Sequence, residues 1–239
     1  MIVIPMAGLS SRFFNAGFCL PKYMLPLDGE TIFEWSVKSF EKYFHSDRFL
    51  FIVTEHFNAP VFVNEKIQHM GILNYEVVVL KNNTLGQADT VFQGIQHLDT
   101  DEELLVFNID SRLENFEKLE PLDQIEGYLE VFQGEGDHWS FVLPKDDNQV
   151  LQTAEKHRIS SLCSNGLYYF NSSQRFKQYV QQEIDKGVQN ELYIAPLYNH
   201  YIRDGYNIVF KEVTVDDINF CGTPAEYSHM LKKIEERSL

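Results

Sequence analysis

The sequence is short of cysteine, and its three cysteines are far apart. Cys19, Cys163 and Cys221 form no CxxC pair, which argues against a disulfide framework and against a structural zinc site. The eight histidines show neither HxH nor HExxH spacing, so they give no sign of a catalytic metal centre. A reducing compartment is the natural setting for such a chain, and we expect a cytoplasmic protein.

Positive charge and long apolar segments are also scarce. With 20 Lys and Arg against 35 Asp and Glu, the formal net charge is −15, and a field of that sign excludes nonspecific nucleic-acid binding. The apolar start, residues 1–6, is too short for the core of a signal peptide, and no later apolar run approaches a membrane span. We therefore expect no nucleic-acid partner and no membrane association. Any phosphate group must be bound by local amides, single cations and a metal.

What the sequence does contain is enough apolar residues for the core of one α/β domain, 44% of 239 residues. In the first half, apolar runs of strand length alternate with stretches of helical period, the pattern of βαβ units around a mostly parallel sheet. The predicted strands are Ile2–Met6, Phe49–Thr54, Glu76–Leu80 and Leu104–Asn108, and the predicted helices are Thr31–Tyr43, Asn58–His69 and Gln87–Leu98.

The second half of the chain lacks this regular alternation. We interpret it as a substrate-binding region added to a nucleotide-binding half. Its predicted strands are Gly127–Gln133, Trp139–Leu143, Gly166–Phe170 and Asn207–Val213, and its predicted helices are Ser173–Lys186, Asn190–Asp204 and Pro224–Arg237.

The most informative segment is the loop after the first predicted strand. It reads Ala7-Gly8-Leu9-Ser10-Ser11-Arg12 and continues to Pro21-Lys22, which is long for so compact a unit. Glycine lets the backbone approach a ligand, and successive N–H groups in a turn can surround phosphate oxygens. Arginine binds phosphate bidentately, whereas lysine acts as a movable point charge. Each residue alone fits an ordinary surface loop, but together they indicate a triphosphate site that is neither a Walker A loop nor a GxGxxG fingerprint.

This loop, with Leu25-Pro26-Leu27 after it, resembles the signature of the sugar-phosphate nucleotidyltransferases. The usual form of that signature has a second glycine where Leu9 or Ser10 stands. The resemblance implies a single-domain, Rossmann-like α/β fold of the GT-A type with a mixed, mainly parallel central sheet. Residues 1–112 would bind the nucleoside triphosphate, and residues 113–239 would supply the acceptor-binding half and the C-terminal helix.

The resemblance also implies roles for the residues of the loop. The backbone of Ala7, Gly8, Leu9, Ser10 and Ser11 would hold the base and the phosphates. Two cations would act in catalysis: Arg12 would hold the leaving pyrophosphate, and Lys22 would hold the attacking phosphate or the α-phosphate.

A second nucleotide contact is predicted where residues 85–90 open a helix. Gly86 allows the close approach of a flat base, and the Gln87 amide could read that base. The segment is similar to the family's second nucleotide-binding loop. The alternative for Gln87 is an ordinary polar residue in the first turn of a helix.

A metal contact is predicted at the end of the apolar run Leu105–Asp110. A carboxylate there lies at the carboxyl edge of the sheet, where open α/β folds bind ligands. Mg²⁺ takes one or two carboxylates together with substrate phosphates, and the family has an aspartate in this place. Asp110 is therefore predicted to bind Mg²⁺, with a turn-initiating or capping role as the alternative.

The acceptor site is predicted from Glu155-Lys156 and from the run that begins at Gly166. Their order and spacing are similar to the Glu-Lys and Gly-x-Tyr-x-Phe strands of the family, although a Glu-Lys pair alone is common on exposed surfaces. By the resemblance, Lys156 would hold the acceptor phosphate and Glu155 a hydroxyl or amine of the acceptor.

The corner Gly222-Thr223-Pro224 resembles the one that precedes the final helix in the family. Many members carry a second metal-binding aspartate two residues before that glycine, where this chain has Phe220. Asp216 and Asp217 lie just upstream, and Asp217 is the predicted second metal ligand.

Together these features predict an enzyme in which a phosphate oxygen of the acceptor attacks the α-phosphorus of a nucleoside triphosphate and pyrophosphate leaves. Such a reaction depends on positioning and charge neutralisation more than on a general base. The serine-rich loop and the short chain are similar to small capsule-associated cytidylyltransferases, which favours CTP and an activated precursor of a capsule or surface polysaccharide.

Several alternatives stay open. The acceptor can be a sugar 1-phosphate, a phosphorylated alcohol or an amide phosphate, and thymidylyl, uridylyl or guanylyl transfer can replace cytidylyl transfer. A glycosyltransferase of related fold would normally need a DxD motif, where this chain has Asn108-Ile109-Asp110. Phe220 in place of an acid also allows a noncatalytic nucleotide-binding subunit. A homodimer stays open as well.

Overall fold

The computed structural model describes residues 1–122, 124–188 and 191–237. The strands are β1 (Ile2–Pro5), β2 (Pro26–Leu27), β3 (Glu30–Thr31), β4 (Arg48–Thr54), β5 (Asn74–Leu80), β6 (Leu104–Phe107), β7 (Ser111–Leu113), β8 (Gly127–Gln133), β9 (Ser140–Pro144), β10 (Val150–Glu155), β11 (Leu162–Phe170), β12 (Ile208–Glu212) and β13 (Ile218–Phe220). The α-helices are α1 (Ser11–Asn15), α2 (Ile32–Val37), α3 (Ala59–Met70), α4 (Gln87–Gly94), α5 (Ser173–Lys186), α6 (Tyr198–Arg203) and α7 (Pro224–Arg237).

A mixed sheet forms the centre of the fold. Strand β1 lies between β4 and β6, parallel to both, and β5 continues this parallel part beyond β4. On the other side, β11 runs antiparallel to β6 and also pairs with β8 and β9. Strand β12 is parallel to β8, and β10 completes a hairpin with β9. The predicted mixed α/β sheet is confirmed.

The sequence of β4 shows why the parallel strands are buried on both faces. Phe49, Phe51 and Val53 belong to one hydrophobic cluster of the core, and Leu50 and Ile52 belong to another, with all five side chains fully buried. A strand covered by helices on both faces has no polar side to present, so its sequence is a continuous apolar run. The same alternation places Ile2 and Ile4 in the first cluster and Val3 in the second.

The parallel order determines where ligand-binding loops can lie. Because β1, β4 and β6 run in the same direction, the segments that follow all three meet at one edge of the sheet. Strand β11 brings the second half of the chain to that edge, since the N–H of Asn108 donates to the carbonyl oxygen of Gly166 at 3.2 Å. The two predicted halves, 1–112 and 113–239, thus contribute strands to one sheet. The division into these halves stays a prediction.

Three predicted helices are shorter in the structure, and one of them, α4, ends at Gly94 instead of Leu98. The predicted helix Thr31–Tyr43 consists of α2 and a 3₁₀ segment, Lys38–Tyr43, in which Phe40 has φ −109° and ψ 20°. The Phe40 ring packs edge-on against Phe107 at 5.1 Å, so core packing accompanies the break. In place of the helix predicted from Asn190, the described chain has a 3₁₀ turn, Ala195–Leu197, followed by α6. Asn190 itself lies outside the described residues.

Strand β10 is missing from the sequence-based prediction. Its residues, Val150–Glu155, include glutamine, alanine and glutamate, which have low strand propensity. It forms because it pairs with β9 in the register Thr153↔Val142 and Ala154↔Phe141. The described helices do not include one with the length and hydrophobicity that a membrane span requires.

The packing of α6 on the sheet depends on one buried hydroxyl. Tyr198 is fully buried, and its hydroxyl donates to the carbonyl oxygens of Tyr128 at 2.9 Å and Tyr169 at 2.8 Å. We expect Tyr198→Phe to lower the free energy of unfolding by about 1–3 kcal/mol, because it removes the donor and leaves buried acceptors behind. Urea unfolding followed by circular dichroism measures this. Tyr75→Phe is the control, since the half-buried Tyr75 forms no hydrogen bond through its hydroxyl in the described part of the chain. Equal midpoints for the two variants would contradict the prediction.

Candidate active site

A cavity of about 610 Å³ opens at the carboxyl edge of the sheet, between the loop after β1, the segment before α4 and the end of β6. The structure thus brings together residues that are far apart in the sequence, such as Ala7 and Glu191. Nine of the predicted site residues line it: Ala7, Gly8, Leu9, Ser10, Ser11, Lys22, Gly86, Gln87 and Asp110. The individual roles of these residues towards base and phosphates stay predictions.

The loop after β1 presents main-chain donors to this cavity. Ser10 has a left-handed conformation, φ 51°, and its carbonyl oxygen accepts the N–H of Phe13 at the start of α1. The Ser10 hydroxyl accepts the N–H of Lys22 at 3.1 Å, so both ends of the loop are held together. The N–H groups of Gly8 and Leu9 have no hydrogen-bond partner in the part of the chain that the structure describes. Free donors of this kind can bind phosphate oxygens.

Gly86 fixes the opposite wall of the cavity. Its φ of +141° belongs to a region that only glycine occupies readily. An added Cβ would lie 2.6 Å from both the nitrogen and the carbonyl oxygen of Leu192. The Leu192 N–H donates to Leu85 at 2.7 Å, and its carbonyl oxygen accepts the N–H of Ala88 at 3.0 Å. Backbone from the second half of the chain therefore holds the Gly86 loop in place.

Lys22 and Asp110 form an ion pair at the inner end of the cavity. The Lys22 Nζ atom lies 2.5 Å from Asp110 Oδ2, and the two side chains are 23% and 25% exposed. The pair links the 3₁₀ turn Lys22–Met24 to the end of β6. A movable cation therefore lies against the carboxylate that the sequence predicts to bind a metal.

A smaller cavity of about 160 Å³ adjoins the first and shares Asn108 and Asp110 with it. It contains the predicted acceptor residues Glu155 and Gly166 and also Arg12, whose side chain is exposed and does not line the larger cavity. The role of Arg12 in holding pyrophosphate stays a prediction. The further lining residues include His138, Trp139, Ser140, Tyr168, Phe220, Gly222, Thr223 and Glu226.

Gly166 lets β11 approach the end of β6 closely. Its φ is +93°, and an added Cβ would lie 2.6 Å from the Asn108 side-chain nitrogen. The Asn108 side-chain oxygen, Oδ1, in turn accepts a hydrogen bond from the Gln87 side-chain amide. Asn108 thus touches residues of the predicted nucleotide site and of the predicted acceptor site.

The side chains of Glu155 and Lys156 lie in different environments. Burial raises the pKa of Glu155, although a hydrogen bond from the Ser140 hydroxyl lowers that pKa in part. The Lys156 ammonium lies over the Tyr193 ring, 4.4 Å from its centroid. It lines a third cavity of about 430 Å³, to which Glu155 also contributes. Glu155 therefore lies between the second and third cavities.

The role of Asp217 as a metal ligand stays a prediction, although Asp217 lines neither of the two cavities that contain Asp110. Its carboxylate accepts a hydrogen bond from the Thr214 hydroxyl, and its carbonyl oxygen accepts the N–H of Glu114 at 2.8 Å. Asp110 is instead paired with Cys221, whose N–H donates to the Asp110 carbonyl oxygen at 2.7 Å. Since Asp217 precedes Cys221 by the length of β13, it lies at the far end of that strand from Asp110.

The comparisons with known proteins agree with this geometry. No protein-family model matches the chain. The chain is similar to the crystal structure of a nucleoside-diphosphate-sugar pyrophosphorylase from Vibrio cholerae RC9, with 45% sequence identity and a TM-score of 0.92, over 97% of this chain and 100% of that one. The chain belongs to the sugar-phosphate nucleotidyltransferase family. It is an enzyme of the nucleotidyltransferase class.

Two other relatives of the nucleotidyltransferase are more distant. An inositol-1-phosphate CTP transferase from T. maritima is 17% identical with a TM-score of 0.74, over 98% of this chain and 95% of that one, and this likeness shows the fold alone. A 2-C-methyl-D-erythritol 4-phosphate cytidylyltransferase from Haemophilus ducreyi is 30% identical over 97 residues. That match spans 41% of this chain and only 38% of that protein.

Enzymes of this type generally use a divalent metal, and the Asp110 region of the nucleotidyltransferase fits one. Its carboxylate oxygens are the hard ligands that such ions prefer, and a cation, the Lys22 ammonium, already lies against them. The absence of a side chain at Gly222 leaves room beside Asp110, because an added Cβ would lie 2.9 Å from Asp110 Oδ2. The described residues contain no group of three or more His, Cys, Asp or Glu side chains that could hold a metal ion.

Sequence reasoning missed several residues that line these cavities. Asn108 follows the same strand as Asp110, so its position at the strand end was the available signal. Glu191 lines the first and third cavities, although its sequence context suggests only an acid in a first helical turn. Trp139 and Glu226 belong to no motif, and only the tertiary fold shows that they face the second cavity.

Cys221 lies near these groups but is not a nucleophile. Burial raises the pKa of its thiol to about 12, and the nearby negative charges of Glu226 and Asp110 add to this effect. The thiol therefore stays protonated at neutral pH, and a protonated thiol is a poor nucleophile.

Proposed function

We propose that this nucleotidyltransferase transfers CMP from CTP to a small phosphorylated acceptor and releases pyrophosphate. The observation that carries the proposal is the pair of adjoining cavities that share Asn108 and Asp110. The larger cavity has main-chain N–H groups that are free to bind phosphates, and the smaller cavity is lined mainly by residues of the second half of the chain. An arrangement of two pockets with a common wall suits a reaction between two bound substrates.

In this proposal the larger cavity binds the triphosphate. The free N–H groups of Gly8 and Leu9 face phosphate oxygens, and the Lys22 ammonium neutralises negative charge on the reacting phosphates. Gly86 lets the base lie against the backbone, with the Gln87 amide beside it. The two N–H groups are in place before the substrate binds, so they can stabilise charge in the transition state without reorganising.

The smaller cavity binds the acceptor. A phosphate monoester is already an anionic nucleophile at neutral pH, so the site needs to orient the acceptor rather than deprotonate it. Glu155 would accept a hydrogen bond from a hydroxyl or amine of the acceptor, and Lys156, in the adjoining third cavity, would hold its phosphate. The relative from Vibrio cholerae favours a sugar 1-phosphate among the acceptors that the sequence leaves open.

Asp110 would hold the metal, which we propose is Mg²⁺, together with oxygens of the substrate phosphates. Bound there, Mg²⁺ would neutralise phosphate charge and orient the phosphates. The Lys22 ammonium, now paired with Asp110, would be free to turn to the phosphates when the metal takes its place.

CTP is favoured by the serine-rich loop and by the partial match to a cytidylyltransferase from Haemophilus ducreyi. The product would be a cytidine-diphosphate derivative, an activated precursor for a capsule or surface polysaccharide. The reaction would take place in the cytoplasm, where CTP is made, and free thiols such as those of Cys19, Cys163 and Cys221 are the norm there.

Thermal shift followed by a pyrophosphate-release assay tests the proposal. We expect CTP with Mg²⁺ to raise the melting temperature more than ATP, GTP, UTP or dTTP, since a ligand at 100 times its Kd stabilises by about 2.7 kcal/mol. Pyrophosphate should appear only when an acceptor is added, and the panel contains sugar 1-phosphates, phosphorylated alcohols and an amide phosphate. A larger shift with UTP or dTTP would contradict the choice of CTP alone. No pyrophosphate with any pair of substrates would contradict nucleotidyl transfer.

A further inference from the structure

The position where the family resemblance implies a second metal-binding acid is filled by an aromatic side chain here. The Phe220 ring lies 5.0 Å from the Trp139 ring and 5.4 Å from the Phe132 ring, centroid to centroid. It therefore belongs to a packed aromatic group at the edge of the second cavity. A phenylalanine side chain has no atom that can bind a metal ion. A second carboxylate ligand would therefore have to come from another residue.

The backbone around Gly222 holds the start of α7 close to Asp110. Strand β13 pairs with β7 in the register Phe220↔Ser111, and the N–H of Cys221 donates to the Asp110 carbonyl oxygen at 2.7 Å. The helix is fixed from a second side, because the Tyr227 hydroxyl donates to the carbonyl oxygen of Pro26 at 2.6 Å. The first turn of α7 thus has a defined position relative to Asp110.

Glu226, in that first turn, reaches the same space as Asp110. A Cβ added to Gly222 would lie 2.9 Å from Asp110 Oδ2 and 3.5 Å from Glu226 Oε2, so both carboxylates border one small volume that glycine leaves open. Both also line the second cavity. Two carboxylates that face a common space can supply oxygen ligands to a divalent cation.

The Glu226 carboxylate is held in this orientation by the helix itself. Its Oε2 atom accepts the N–H of Thr223 at 2.8 Å, and the Thr223 hydroxyl accepts the N–H of Glu226 at 3.2 Å. This reciprocal pair is a capping box, which fixes the side chain of the third helical residue. The second oxygen, Oε1, has no hydrogen-bond partner within the described ranges. One oxygen therefore positions the group while the other is available to a ligand.

We infer that Glu226 supplies the second protein carboxylate of the divalent-metal site, across Gly222 from Asp110, in place of the acid absent at Phe220. The inference rests on the proposed function, since it takes the metal to be bound at Asp110. The site thus contains one carboxylate from the end of a strand and one from the first turn of a helix. The longer glutamate side chain lets an acid reach the site from α7 rather than from β13.

Mn²⁺ is the probe for this inference, because it takes the same oxygen ligands as Mg²⁺ and the free ion is measured by electron paramagnetic resonance. Glutamine can replace glutamate in a capping box, so Glu226→Gln removes the charge and keeps the hydrogen bond that orients the side chain. Glu236→Gln is the matched control, because Glu236 is an exposed glutamate near the other end of α7. Each variant is titrated with Mn²⁺ alone, without substrate, and its melting temperature is recorded.

We expect Glu226→Gln to weaken Mn²⁺ binding by about 10-fold or more, since even residues that only support metal ligands contribute 10- to 100-fold. Glu236→Gln should bind Mn²⁺ as the wild type does. The double variant Phe220→Asp, Glu226→Gln restores an acid at the relatives' position and should recover most of the lost affinity. Recovery would identify the missing function as a carboxylate beside Asp110, because a purely structural role of Glu226 would not be rescued from another strand.

Asp110→Asn separates failure of this inference from failure of the proposed function. Loss of Mn²⁺ binding in Asp110→Asn with unchanged binding in Glu226→Gln would overturn the role of Glu226 and leave the metal at Asp110. Unchanged binding in both variants would overturn the role of Glu226 together with the placement of the metal.

Discussion

Lys22→Met is expected to lower kcat for pyrophosphate release by about 10²- to 10³-fold, the size of effect seen when one preorganised electrostatic group is removed from an active site. Methionine keeps much of the length of the side chain and removes its charge. The Lys22 ammonium lies 2.5 Å from Asp110 in a partly buried setting, where loss of a charge is poorly compensated by water. The effect should therefore be on the reacting phosphates and should appear in kcat more than in the KM of the nucleotide.

The control for this variant is Lys145→Met, which changes the same charge at an exposed position between β9 and β10. It should retain wild-type kcat. Circular dichroism and the melting temperature establish whether Lys22→Met is folded. A folded Lys22→Met enzyme with wild-type kcat would contradict the proposed role of Lys22. If the wild type binds nucleotide but never releases pyrophosphate, the chain is a noncatalytic nucleotide-binding subunit, the alternative suggested by Phe220 in place of an acid.

Gly86→Ala is expected to have the second large effect, on stability and on nucleotide binding together. The backbone conformation at φ +141° costs a residue with a Cβ about 1–3 kcal/mol. The added Cβ would also lie 2.6 Å from the main chain of Leu192, which cannot move without breaking its hydrogen bonds to Leu85 and Ala88. We therefore expect a loss of unfolding free energy above this range and weaker binding of the nucleoside triphosphate.

Gly205→Ala is the control for the steric part of this effect. Gly205 also has a positive φ, +84°, but an added Cβ there meets no atom within 4 Å. It should cost about 1–2 kcal/mol, the ordinary penalty for a left-handed residue, and leave nucleotide binding unchanged. Urea unfolding and thermal shift with nucleotide measure both quantities. If both variants lost the same unfolding free energy, the contact with Leu192 would contribute nothing to the effect of Gly86→Ala.

The nucleotide side of the site could be predicted from the sequence because its residues are nearly contiguous. Ala7 to Arg12 and Lys22 belong to a single loop, and the continuous apolar run of β1 before it shows that the loop starts at a strand end. Asp110 follows by the same argument, since it ends the apolar run of β6. Local sequence is sufficient where one strand and its loop supply the chemistry.

The acceptor side could not be predicted in this way, because it is assembled from segments that the sequence does not mark as neighbours. Trp139, Gly166 and Glu226 meet at the second cavity only after β9, β11 and α7 have packed. The choice of Asp217 as a metal ligand rested on its position in the sequence alone. Closeness in sequence to Gly222 suggested closeness to Asp110, but each residue of an antiparallel strand adds about 3.4 Å. Asp217 precedes β13, whereas Cys221, which contacts Asp110, follows it, so closeness in sequence to Gly222 does not establish closeness to Asp110.

The segment that follows β6 lies where the two cavities adjoin. Asn108 and Asp110 face both cavities, and Asn108 is held by the carbonyl oxygen of Gly166 and by the Gln87 amide. Reactants bound in the two cavities would meet beside Asn108 and Asp110. When two reactants are held in the correct relative position, the effective concentration of one near the other is high, and the reaction is faster. The folded sheet would then determine the relative orientation of the two substrates. A change of acceptor specificity would require substitutions only in the outer walls of the second cavity.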